Sequence, residues 1–328
     1  MTKDLGDACS QSARRRALAL LLLLLASPAA AQTARLAVEG VVQSEGLGRA
    51  FQTFSVFGGV PGIAAARYDG EFRLNTFQLP LAHTFAPIGS GPLAALSPYA
   101  ELTAGYLTAE RRFGLDGGPN LPNGVRLSFT AWSALAGAGL EAPLGGGWRM
   151  RTLALAGYAH VEGDARFDGP NAAVVQSAVR GIFDQATLGT ALLGGAVEVA
   201  YDRRFAGDVT LAAKARYNQL AAVVTGASDP ALRQNGAFGV ANGGMLLSGP
   251  LDWRLAGRPL RWIGYANGTW LPDTDRGVLG FNAFAEIGGG VQLIAPGVLP
   301  GVKGGTVRAA AIVGPGVTGW LVSAALTF

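Results

Sequence analysis

The chain has 328 residues, of which 49% are hydrophobic and only 15% charged, with 49 glycines. After its N-terminal leader no stretch reaches the ~18 consecutive apolar residues that mark a membrane-spanning helix, so the apolar residues are dispersed rather than blocked. The basic balance is a small surplus of scattered arginines, which excludes the clustered footprint of a nucleic-acid binder.

Residues 1–31 read as an export signal. Arg14, Arg15 and Arg16 form its basic edge, Ala17 to Ala26 its short apolar run, and Ala29-Ala30-Ala31 a small-residue cleavage site, with cleavage expected after Ala31. The run is too short to be an anchor, since a spanning helix needs about 20 residues. The only cysteine, Cys9, lies ahead of the run, so the mature chain has no disulfide to rely on. Residues 32–49 then form either a periplasmic lead-in or a segment entering a lumen.

From there to the end, period-2 alternation gives twelve expected strands: 50–57, 71–86, 98–109, 128–143, 147–163, 190–204, 208–221, 237–250, 260–271, 281–294, 303–313 and 318–328. This is an all-β chain, and the architecture it implies is a transmembrane antiparallel up-and-down β-barrel of about 12 strands over 50–328. Links at 87–97, 143–147, 205–208, 251–259 and 295–302 fall at one end. The links 58–70, 110–127, 164–189, 222–236, 272–280 and 314–317 fall at the other, which contains the longer ones. An even count puts both termini at the short-turn, periplasmic end of an outer-membrane protein.

Side-chain direction follows from the alternation. Trp320, Val322, Leu326 and Phe328 share one face of the last strand, and Trp262 and Trp270 share a face with the same eight-residue spacing. Eight residues tilted by about 40° span roughly 21 Å of membrane normal, near the separation of two aromatic girdles. The charges fall opposite the apolar faces: Glu101, Glu141, Arg149, Arg151, Glu198, Asp202, Lys214, Arg216, Glu286 and Arg308. An Arg or Lys facing lipid at the midplane costs about 2–4 kcal/mol, so these ten are expected in the lumen. Glu141 is expected across a turn from Arg149 and Arg151, and Glu198 beside Lys214, directly or on the diagonal. Such residues could set the selectivity of a pore or cross-brace a narrow barrel; the small strand count favours bracing.

Chemistry is sparsely signalled. His83 and His160 are the only histidines; no serine lies within ten residues of His160, His83 has only Ser90 and the adjacent Thr84, and the histidine–serine signature of an outer-membrane hydrolase is missing, so both read as interfacial or rim residues. Two histidines without a mature cysteine make no metal centre. The aspartates at Asp116 and in Asp273-Thr-Asp275 lack an EF-hand spacing. Glycines at 194–195 and 288–290 lie inside strands, without the following helix of a phosphate loop. No catalytic residue, cofactor or metal is therefore expected. In the 164–189 loop, Val174, Val175, Ala178, Val179 and Ile182 have helical spacing, which suits a short helix capping the barrel mouth or an exposed contact surface.

The segments F-Q-L-P-L-A-H-T-F at 77–85, P-Y-A-E-L-T-A-G-Y-L at 98–107 and G-V-T-G-W-L-V-S-A-A-L-T-F at 316–328 resemble the autotransporter-type β-domain, in particular the solitary autotransporter-like barrels of proteobacteria. The resemblance covers about 50–328. It implies an outer-membrane barrel whose partners are membrane lipid and the barrel assembly machinery, with a terminal aromatic strand as the assembly signal. It brings no catalytic residues. Secreted autotransporters carry a large passenger before the barrel; here only residues 32–49 stand in that place, so no passenger is expected. The alternatives are an outer-membrane lipid hydrolase and an adhesin or receptor acting through the 164–189 loop.

Overall fold

Alternation over long, glycine- and alanine-rich segments leaves one solution that satisfies every backbone group, a sheet closed on itself. The computed structural model describes residues 53, 65–89, 95–114, 124–273, 279–295 and 304–327. They form a closed antiparallel barrel of twelve strands, each paired with its sequence neighbours and β1 with β12. The strands are β1 (Ala66–Asp69), β2 (Arg73–Thr84), β3 (Ser97–Gly114), β4 (Gly124–Gly145), β5 (Trp148–Asp168), β6 (Ala186–Arg204), β7 (Thr210–Ala227), β8 (Gly236–Leu255), β9 (Arg258–Trp270), β10 (Ala283–Ile294), β11 (Gly304–Gly314) and β12 (Val317–Thr327). A short helix, α1 (Ala172–Ala178), lies between β5 and β6.

Eleven of the strands coincide with expected segments. The first does not. Among residues 50–57 only Thr53 is described, and it is helical and buried, not extended. The first described strand lies at Ala66–Asp69, inside the expected 58–70 link, and reaches β2 through residues 70–72. With only Ala66 and Tyr68 turned inward, four residues are too few to display a period of two. Residues 1–49 and Phe328, and the side chain of Leu326, lie outside the described residues.

Strands β3 to β8 also run further than alternation suggested. β4 has 22 residues and β5 has 21, about twice what a tilted strand needs to cross a bilayer. The expected 251–259 link is a two-residue hairpin at Ala256-Gly257, both with positive φ, as a tight hairpin requires. The 164–189 loop shortens to 169–185.

Outward faces are apolar and bare of charge over a broad band. Phe77, Tyr106, Trp132 and His160 pair in register across β2 to β5, forming an aromatic row. Its rings lie close together: Phe77–Tyr106 at 6.4 Å, Trp132–His160 at 5.6 Å and Trp132–Tyr158 at 5.5 Å. At the opposite end Trp148 meets Tyr201 at 4.7 Å and His83 meets Phe85 edge-on at 4.6 Å. Trp148 and Tyr158 are ten residues apart on β5, which is about 26 Å along the barrel axis at ~40° tilt. Between the two rows β3, β4 and β5 present Leu102, Ala136, Ala138, Leu140, Ala154 and Ala156 outward. Trp262, Trp270, Trp320 and Val322 face outward as well; Trp270, Trp320 and Val322 are among the exposed large hydrophobics, and Trp262 lies across Gly249, where a Cβ would stand 2.6 Å from its indole nitrogen.

Candidate functional site

The interior has two zones. Toward the end bearing α1 it is a packed apolar core to which strands all round the barrel contribute: Tyr68, Leu107, Leu135, Leu192, Phe238 and Ile312 are all buried in it. Val179 and Ile182, which follow α1, insert into the same core, and Ile182 is fully buried. Val175 and Ala178 of α1 are buried too, while Val174 is exposed. The helical spacing therefore turns its apolar side into the mouth. Charges of both signs face the interior in one zone only. The inward positions of the other zone, such as Leu107, Leu135 and Leu192, are as apolar as the outward ones, so alternation of charge was silent there.

The second zone carries the charges. All ten expected lumen residues lie on the inward face of their strands, as the alternation of buried and exposed positions shows. Seven form one chain of ion pairs. Arg216 on β7 donates to both oxygens of Glu101 on β3, at 2.8 and 2.5 Å. β3 and β7 are separated by β4, β5 and β6 in the sheet, so this pair crosses the interior. Glu198 lies 3.6 Å from Arg216 and accepts from Arg151 at 2.7 Å. Arg151 also donates to Glu141 at 2.5 Å, its partner in register. Arg149 stands 4.0 Å from Glu141 and pairs with Asp202. Glu198 is thus bonded to Arg151 and Arg216, not to Lys214. The register sets Glu198 opposite Arg216, and Lys214 one inward position away opposite Ala200.

Glu286, Arg308 and Lys214 stand apart from this chain. Glu286 is buried opposite Asn267, and one of its oxygens has no hydrogen bond. Arg308 lies over the Tyr265 ring at 5.6 Å. Lys214 makes no ion pair among the described residues.

Three participants were not singled out from the sequence. The Tyr99 hydroxyl donates to Glu101 at 3.2 Å, and Arg151 covers its ring at 4.4 Å. Asn218 accepts from Arg216 Nε at 2.8 Å. Both stand two residues from a network charge, on the same strand face, which is the signal that would have found them. Gly137 makes room: a Cβ there would meet Glu101 Cγ at 2.8 Å, so the glutamate lies flat across the glycine before turning to Arg216.

The arrangement restrains rather than reacts. Each charge in the chain is held by an opposite one, and the guanidinium of Arg216 is fixed by a bidentate carboxylate and an amide oxygen. The histidines are elsewhere, on the outward face. His160 lies against Trp132 with Nε2 3.5 Å from Glu162, and His83 against Phe85. Among the described residues no three His, Cys, Asp or Glu side chains converge as metal ligands would.

No protein-family model and no curated protein sequence matches the chain. Solved structures of three autotransporter β-domains align with it. The β-domain of the Bordetella autotransporter BrkA is 14% identical over 80% of this chain and 96% of its own, with a TM-score of 0.42. The translocator domain of NalP from Neisseria meningitidis is 12% identical over 87% of this chain and 95% of its own, at 0.44. The transport unit of AIDA-I from Escherichia coli is 13% identical over 80% and 88%, at 0.46. These are likenesses of fold.

Proposed function

We propose that the protein is an integral outer-membrane β-barrel of a Gram-negative bacterium, non-enzymatic, whose interior is braced shut or at most weakly conducting. The observation that carries this is the Arg216–Glu101 pair, which spans the interior beneath a packed apolar core. A conducting lumen needs a continuous wet path, and a core of buried apolar side chains from strands all round the barrel argues against one. The membrane reading rests on the outward band, free of charge between two aromatic rows and of bilayer dimensions. The export signal at 1–31 supports that address, and the even strand count supports periplasmic termini. Assembly machinery is the expected partner, recognising the terminal strand through Phe328.

The test is reconstitution in phospholipid vesicles. An inserted barrel shifts its electrophoretic mobility on heating, releases no fatty acid, and is unaffected by His83→Ala or His160→Ala. Fatty-acid release that either substitution abolishes would instead establish the lipid-hydrolase reading. The adhesin reading finds less support, because the apolar side of the 169–185 segment is spent on the core.

A further inference from the structure

β3, β4 and β5 continue well past the outer aromatic row, and their outward faces change character there. Rising from the row Tyr106–Trp132–His160, the next registers are Thr108–Thr130–Glu162, then Glu110–Ser128–Asp164, then Arg112–Arg126–Arg166. Three arginines therefore stand side by side on three adjacent strands, all on the outward face. Like charges directly opposite on an exposed sheet are destabilising. The local acids offset this only in part. Glu110 accepts from Arg112 at 2.8 Å and lies 3.6 Å from Arg126, whereas Arg166 forms no ion pair among the described residues. Asp164 and Asp168 flank Arg166 along β5 without reaching it. The register beyond the arginines begins with Gly114 and Gly124, which carry no side chains and leave the row open on that side.

Height selects the partner. Arg126 is six residues above Trp132, which is about 20 Å along the strand and about 16 Å along the membrane normal. Aromatic belts mark the headgroup level. The phosphate of a glycerophospholipid beside this barrel lies at that level, far below the arginines. What stands beside the outward wall at the arginines' height, and is held there by the same leaflet, is the saccharide of a glycolipid.

We propose that Arg112, Arg126 and Arg166 form a binding strip for phosphate or carboxylate groups on the saccharide of an outer-leaflet glycolipid. Guanidinium forks spaced by the inter-strand distance, about 4.8 Å, suit anionic groups repeated along a sugar chain. The acid row beneath and Asp168 at one end confine the anion to that line. The inference rests on the membrane reading above, with α1 at the outer end.

The test uses the full chain and its R112Q/R126Q/R166Q and R126Q variants in phosphatidylcholine vesicles. Parallel vesicles contain lipopolysaccharide with a phosphorylated core, or lipid A alone. Insertion is scored first, in phosphatidylcholine, by heat-modifiable mobility. Failure there overturns the membrane reading and this inference together. Given insertion, the wild type is expected to retain the lipopolysaccharide through detergent extraction about tenfold better than the triple variant, the loss of roughly one charge-assisted contact. High salt should erase that difference, and lipid A should be retained equally by both. Without glycolipid, R126Q should be no less stable than the wild type, because it relieves repulsion. Equal retention of lipopolysaccharide by all three proteins overturns the strip alone. An equal preference for lipid A overturns its height, and equally strong binding of soluble inositol hexakisphosphate by the wild type overturns the glycolipid as its source.

Discussion

Arg216 and Glu101 are 115 residues apart in sequence and face each other across the barrel, joined by two hydrogen bonds of 2.8 and 2.5 Å. Each is buried, and each has further partners, Asn218 and Glu198 for the arginine and Tyr99 for the glutamate. A pair of this kind removes two charges from water, so its value lies less in net stability than in what happens when one member is lost.

Arg216→Ala should destabilise the barrel by about 3–5 kcal/mol, because Glu101 is left buried and unpaired. Arg216→Met combined with Glu101→Leu should recover most of that loss. Urea unfolding in detergent micelles measures both, and equal instability of the single and double variants would show that the pair is not what the arginine contributes.

Ile182 is fully buried in the core at the barrel mouth, and Val174, on the other side of α1, is exposed. Ile182→Ala should cost about 2–5 kcal/mol, the range for truncating a buried isoleucine, and Val174→Ala should stay within about 0.5 kcal/mol. A reversal of that order would mean that the segment does not seat itself in the mouth.

The outward face of β4 offers a depth scale. Ala138, near the middle of the apolar band, should tolerate arginine poorly, at about 2–4 kcal/mol in a bilayer, whereas Thr130, just past the aromatic row, should accept it for about 0–1 kcal/mol. Unfolding titrations in vesicles separate the two; equal costs would remove the lipid from that face.

The proposed export signal and terminal-strand assembly signal each make a prediction. N-terminal sequencing of the exported protein should begin at Gln32, and deleting Phe328 should lower the amount of assembled barrel without changing synthesis. Normal assembly of the truncated chain would remove the terminal aromatic from the signal.

Much of this architecture is readable from residue order, for a physical reason. Where the outward face is apolar and the inward face carries charge, as at Val197–Glu198 and Tyr217–Arg216, alternation is sharp and both strand and direction follow. Where both faces are apolar, as along Leu192–Leu193 or Ala134–Leu135, strand and position survive but the nature of the interior does not, and the core stays hidden. Cross-barrel pairing is harder still. Strand register brings Glu141 to Arg151 through a local hairpin, but nothing in the order of residues ties Glu101 to Arg216, because that distance depends on the closure and diameter of the barrel. β1 was illegible because four residues hold too little pattern.

Planar-bilayer recording tests the closed interior most directly. Purified wild-type protein, shown to be inserted by heat-modifiable mobility, should give no steady conductance level. A variant carrying Arg216→Ala together with Ile182→Asp, if it still inserts, should flicker between closed and open levels. A steady open level from the wild type would contradict a braced and plugged barrel.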